Sequence, residues 1–133
     1  MVIQSPKLVY LFALWSGKSS LGKATVFYPF IFISNKNDIP DWLLRHERIH
    51  LRQQSELLII GSLLLNSFEY LFACFVLHKT SYDVYLWTSA EQESYLNQHN
   101  EHYLDNRRMF QRFKYILDKR HIVTRKDGTV EIN

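Results

Sequence analysis

His46-Glu47-Arg48-Ile49-His50 is the stretch that decides how this chain is built. On a helix, residues four apart lie one above the other, so His46 and His50 present their imidazoles to one side, with Glu47 beside the first. Two nitrogen ligands at that spacing and an adjacent carboxylate form the ligand pair and general base of a zinc hydrolase. The flanking sequence supports a helix. Asp38 or Asp41 can cap it, Pro40 stands near its first turn, and Leu43, Glu47, His50 and Leu51 recur at helical spacing from Trp42 onward. Apolar character then continues to His78. One helix over that range would be about 55 Å long. A break is therefore expected near Gly61 or Asn66-Ser67, with a second, largely buried helix over Phe68 to His78.

Upstream, Thr25 to Ile33 is β-branched and aromatic and reads as a strand, and Pro29 inside it fits an edge strand or a bulge. Leu8 to Trp15 is apolar and reads as strand or short helix. Ser34 to Pro40 is a loop. Downstream, Thr80 to Trp87 is ambiguous. Thr88 or Ser89 caps a further helix, with Glu91 or Gln92 at the capping-box position. That helix is expected to continue to Lys119, bent near His99-Asn100. Arg125 to Val130 is a turn between short extended arms.

Composition narrows the possibilities. With 133 residues, 47% of them apolar, the chain can bury a sizeable core. The size fits one domain: an N-terminal strand region over residues 1–41, a helical core over 42–118 and a tail over 119–133. A net charge of +3 is too mild to argue for nucleic acid, and no nucleic-acid partner is expected. The lone Cys74 precludes an internal disulfide and suits a reducing, cytoplasmic setting, where a buried, inert thiol is its default role. Leu57 to Leu77 carries one charge, Glu69. Its length permits a membrane span, but a carboxylate near the bilayer centre costs at least about 3 kcal/mol. A buried helix pair, or a helix lying on a membrane surface through residues 57–77, is the better expectation. Gly17-Lys18-Ser19-Ser20-Leu21-Gly22-Lys23 approaches a phosphate-binding loop. However, Ala24 stands where magnesium would need Ser or Thr, so the segment reads as a turn with solvated lysines.

A catalytic zinc needs a third protein ligand and an open position. The extended H-E-x-x-H-x-x-G-x-x-H form is excluded by Gln53. Glu93 is the favoured third ligand, because the small Ser94 after it lets its helix approach that of His46. Glu91 faces another direction and stands as a second candidate, or as a cap or partner of a histidine nitrogen. Glu69 needs a partner inside its apolar helix and is a third, while His99 and His102 also carry ligand chemistry. The competing reading makes His46 and His50 solvated helix residues among Arg45, Arg48 and Arg52.

His46 to Glu56, followed by Phe68-Glu69-Tyr70-Leu71 and Glu91-Gln92-Glu93-Ser94-Tyr95, resembles a family of small uncharacterised Bacteroidetes proteins. That family is itself similar to minimal gluzincin-type zinc metallopeptidases. The segment Ala24 to Ile33 also matches the family's early strand. The resemblance covers roughly residues 8 to 118. It implies a mainly α (α+β) zincin-like fold, with a helical core and a short N-terminal edge strand or small sheet. It also implies one zinc ion per chain held by His46, His50 and Glu93, with Glu47 activating water. His99, Tyr95 or His102 would steady an oxyanion, and a peptide or protein substrate would pair with the edge strand in Thr25 to Ile33. The alternative is a non-enzymatic zinc-binding, structural or regulatory protein on the same fold.

Overall fold

A computed structural model of the chain describes residues 1–16 and 23–133, so the near-match to a phosphate loop at Gly17 to Gly22 lies outside the described residues. The chain is predominantly helical with two small sheets. The first combines β1 (Val2–Gln4), β2 (Ala24–Phe27) and β3 (Phe30–Ile33) in the order β1-β3-β2. β1 runs parallel to β3, and β2 runs antiparallel to it with Val26 opposite Ile31. The apolar stretch around Pro29 is thus a hairpin, not one strand: Tyr28 and Pro29 make the turn, where a missing N–H is harmless. β2 lies at the sheet edge, as expected, whereas β3, the other half of the segment, is the central strand. The segment Leu8 to Trp15 falls within helix α1 (Pro6–Ser16), which packs on the sheet.

Helix α2 (Asp41–Glu56) carries the motif. Pro40 takes the N-cap position, so neither Asp38 nor Asp41 caps it through a side chain. One stripe of α2, Leu44 and Leu51, packs on Val26, Ile31 and Ile33 of the sheet. The opposite stripe, His46, His50 and Gln53, faces the rest of the molecule and is buried. The helix ends at Leu57 and Leu58, not at Gly61 or Asn66. Leu58 adopts a left-handed φ of 56° and redirects the chain into α3 (Leu58–Phe75), which runs unbroken past both expected sites.

α3 overturns the expectation of a largely buried helix. Its inward residues are Ser62, Glu69 and Ala73, whereas Leu58, Ile60, Leu64, Phe68, Leu71 and Phe75 are exposed. Its polar side faces the protein and its apolar side faces out. By length and composition, α3 could cross a membrane. Cys74 is half-buried.

Thr80 to Trp87 resolves as helix α4 (Ser81–Trp87), leading into α5 (Ser89–Asn97). Seven consecutive α5 residues, Ser89 to Tyr95, are buried because α2, α3, α4 and α7 surround it. The capping box does not form. Thr88 Oγ1 donates to Tyr85 O, and the first turn of α5 is capped across the fold by Glu69, whose carboxylate accepts from Ser89 N at 2.6 Å and Ser89 Oγ at 2.5 Å. α5 stops well short of Lys119. The following chain folds back through α6 (Tyr103–Asn106), a 3-10 turn at Gln111–Phe113 and α7 (Lys114–Leu117), with Phe110 at a left-handed φ of 57°. The expected terminal turn is present as a hairpin of β4 (Ile122–Thr124) and β5 (Val130–Ile132).

Candidate metal centre

α5 meets α2 with residues at helical spacing: Glu91, Ser94, Tyr95 and Gln98 all touch the motif histidines. The Glu91 carboxylate lies 3.2 Å from His46 Nε2 and 3.2 Å from His50 Nε2. The two Nε2 atoms are 3.1 Å apart. Ser94 Oγ sits 3.4 Å from His50 Nδ1, and the Tyr95 ring packs edge-on to His46 with centroids 4.6 Å apart.

Two glutamines set the histidine tautomers. Gln98 Nε2 donates to Gly128 O at 3.0 Å, so its Oε1 must be the atom 2.8 Å from His46 Nδ1. Gln53 Nε2 donates to Ala90 O at 3.1 Å and to Glu93 Oε2 at 2.8 Å, which turns its Oε1 toward His50 Nδ1 at 2.9 Å. An amide oxygen can only accept, so both imidazoles carry their proton on Nδ1. Both Nε2 atoms then face the same carboxylate, an arrangement that suits a metal ion or a shared proton between them.

Ligands about 2.0–2.1 Å from a tetrahedral zinc are about 3.3 Å from one another; the two Nε2 atoms are 3.1 Å apart, and each lies 3.2 Å from a different oxygen of the Glu91 carboxylate. His46, His50 and Glu91 thus fit one zinc ion per chain, their donor atoms all lying within 4.8 Å of one another. Among the described residues no fourth His, Cys, Asp or Glu joins them, and Gly17 to Gly22 contains none of these types. Three protein ligands are the number that a catalytic zinc site uses.

Glu47 is 2% exposed, and its Oε2 has no hydrogen-bond partner, which singles it out among the buried side-chain polar atoms described. A buried carboxylate oxygen without a partner is costly and calls for a functional reason.

Glu93, the favoured ligand from the sequence, does not join the cluster. It is fully buried two residues on, pointing away from the histidines. Its Oε1 accepts from Arg107 Nε at 2.5 Å and Tyr103 OH at 2.8 Å. Arg107 also grips Glu56 with both terminal nitrogens. Glu69, another alternative, is committed to Ser89, Arg112 and Lys119. Of the expected oxyanion donors, His99 Nε2 is bound to Gly128 O at 2.6 Å with its ring against Trp42, and His102 lies exposed beside Asp105. Tyr95 does reach the site, but its OH is 3.1 Å from Tyr85 OH. Tyr85 had been hidden in the ambiguous Thr80 to Trp87 segment. Burial above all, and then the nearby charges of Glu91 and Glu47, holds its phenol well above the ordinary tyrosine range, and so in the O–H form.

Two histidines and an adjacent glutamate on one helix, with a carboxylate ligand from a later helix, constitute the gluzincin zinc-protease signature. His46, Glu47, His50 and Glu91 match that signature, with Glu91 in the third place. No family model matches the chain, and neither the curated proteins nor the solved structures contain a match.

Proposed function

We propose that the protein is a zinc-dependent peptidase. The observation that carries this reading is the convergence of His46 Nε2, His50 Nε2 and the Glu91 carboxylate beside the unpartnered, buried Glu47 Oε2. Bound zinc supplies a Lewis acid that makes water nucleophilic near neutral pH and polarises a carbonyl. Glu47 takes the proton of the attacking water and returns it to the departing nitrogen, so one C–O bond forms as one C–N bond breaks. Tyr95, whose ring packs on His46 and whose hydroxyl is hydrogen-bonded to Tyr85, lines the site in place of His99 and His102. Gln53 and Gln98 hold the imidazoles in the tautomer that binds metal. An extended substrate pairs antiparallel with the outer edge of β2.

The test is metal analysis combined with peptide hydrolysis. Wild type is expected to hold about one zinc per chain and to cleave peptides. Glu47→Gln should keep the metal and lose the cleavage, and His46→Ala or Glu91→Ala should lose both. Full activity in Glu47→Gln would overturn the base assignment.

A second reading concerns location. The outward apolar side of α3, with Ser62, Asn66 and Glu69 turned inward onto Arg112, supports attachment to a membrane surface through residues 57–77. Co-sedimentation with lipid vesicles, lost in Leu64→Glu/Phe68→Glu, is the expected result. Wild type remaining in the supernatant would refute it.

A further inference from the structure

The outer edge of β2 is already in use at one end. In the antiparallel pairing, Lys23, Thr25 and Phe27 turn their backbone groups toward β3, with Ser34 N donating to Lys23 O at 2.8 Å. Ala24, Val26 and Tyr28 therefore turn theirs outward. Gln54, in the last turn of α2, meets two of these groups: its Nε2 donates to Val26 O at 3.3 Å, and its Oε1 accepts from Tyr28 N at 2.8 Å. A primary carboxamide offers one donor and one acceptor, the pair a passing peptide backbone would offer. Gln54 thus occupies the rungs where an added strand would bind.

Its position along α2 gives this a direction. Gln54 shares a stripe of α2 with Glu47, seven residues away, between the sheet-packed Leu44 and Leu51 and the buried His50. β2 packs along α2. Because α2 ends two residues past Gln54, the rest of β2, from Val26 back to Ala24, extends toward the histidines. A substrate antiparallel to β2 has its N-terminal end at Tyr28, where Gln54 stands. From Gln54 to the middle of the His46–His50 pair is about 9 Å of helix, which is about three residues of extended chain.

We infer that Gln54 is a specificity-determining residue that caps the outer edge of β2 on the substrate's N-terminal side and limits the protein to cleaving within about three residues of a peptide's amino end. This rests on the peptidase reading, and it adds to that reading a class of substrate: peptides with a nearby free N-terminus. Ala24, whose N–H and C=O both point outward, is the pairing position left to such a chain, and Gln54 is the stop beyond it.

The experiment uses two peptide series of one sequence, extended by one to six residues either before or after the cleaved bond. Each is assayed for hydrolysis by wild type, Gln54→Ala and Gln54→Met, and for binding by anisotropy in the non-hydrolysing Glu47→Gln background. Zinc content is measured for every variant. Wild-type kcat/KM should fall at least 10-fold once more than about three residues precede the bond and should be indifferent to C-terminal extension. Both Gln54 variants should retain zinc and remove that drop. Affinity in the Glu47→Gln background should change in parallel. Cleavage by wild type with the same length dependence in both Gln54 variants, or with none in wild type, would overturn the assignment to Gln54 alone. Absence of cleavage of every peptide by zinc-loaded wild type would overturn the peptidase reading, and this inference with it.

Discussion

Gln53 stands between Glu93 and His50, donating from Nε2 to Glu93 Oε2 at 2.8 Å and presenting Oε1 to His50 Nδ1 at 2.9 Å. Glu93 therefore acts on the metal centre through an amide, without touching the cluster. Replacing a group that orients a ligand weakens metal binding by about 10- to 100-fold, whereas losing a ligand removes far more. Glu93→Gln should thus bind zinc measurably in a chelator competition, and Glu91→Gln should not. Equal losses in the two variants would return Glu93 to the ligand set.

Gly128 braces the other histidine. Its carbonyl receives Gln98 Nε2, its φ is 89°, and a Cβ added there would lie 2.3 Å from Trp42 Cε2. Gly128→Ala combines a strained backbone with a clash against an indole and should cost about 1–3 kcal/mol of stability, read as a lower Tm. Zinc affinity should fall by up to about 10-fold as Gln98 loses its anchor. Unchanged Tm and affinity would show that the hairpin tip does not brace the site.

Glu69 joins α3 to the N-terminus of α5, two residues before Glu91. Removing its carboxylate leaves Arg112, 1% exposed, without its charge partner, and Ser89 N without its acceptor. Glu69→Ala should lose about 3–5 kcal/mol, against about 1 kcal/mol for Ser89→Ala, both measurable by urea denaturation. A neutral Glu69→Ala would mean that the network is dispensable.

Alkaline pH should unfold the protein progressively. Tyr103 donates to Glu93, and burial, followed by the charge of Glu93, raises its pKa; Tyr85 is raised by burial and then by Glu91. A phenol that holds its proton more tightly when folded stabilises fully below its unfolded pKa of about 10 and loses that contribution as pH rises from there through the folded value. Denaturation midpoints should fall above about pH 10, and Tyr85→Phe or Tyr103→Phe should flatten the slope. A midpoint that stays level above pH 10 would contradict both assignments.

The helix bearing His46 and His50 was legible because one five-residue motif fixes both its period and its face. The choice between Glu91 and Glu93 turned on the rotation of α5, which depends on how closely α2 packs against it, and local spacing does not encode that. One signal was available: Glu91, Ser94, Tyr95 and Gln98 recur at 0, 3, 4 and 7, a complete helical face, and all four touch the histidines. The hairpin at Tyr28-Pro29 was half legible, since Pro29 announced an interruption without saying whether it was bulge or turn. The inward turn of the polar side of α3 was not legible. Ser62, Asn66 and Glu69 look like blemishes in an apolar run until Arg112, far along the chain, supplies their common partner.

The hairpin of β4 and β5 has a consequence for the order of synthesis. His46, His50 and Glu91 leave the ribosome well before Gly128, yet Gln98 is held toward His46 only once Gly128 is in place. The nascent chain therefore carries all three ligands while the brace on one of them is still missing. The segment that braces the site is translated after all three ligands, so the tightest hold on metal comes only once Gly128 has followed them out of the ribosome.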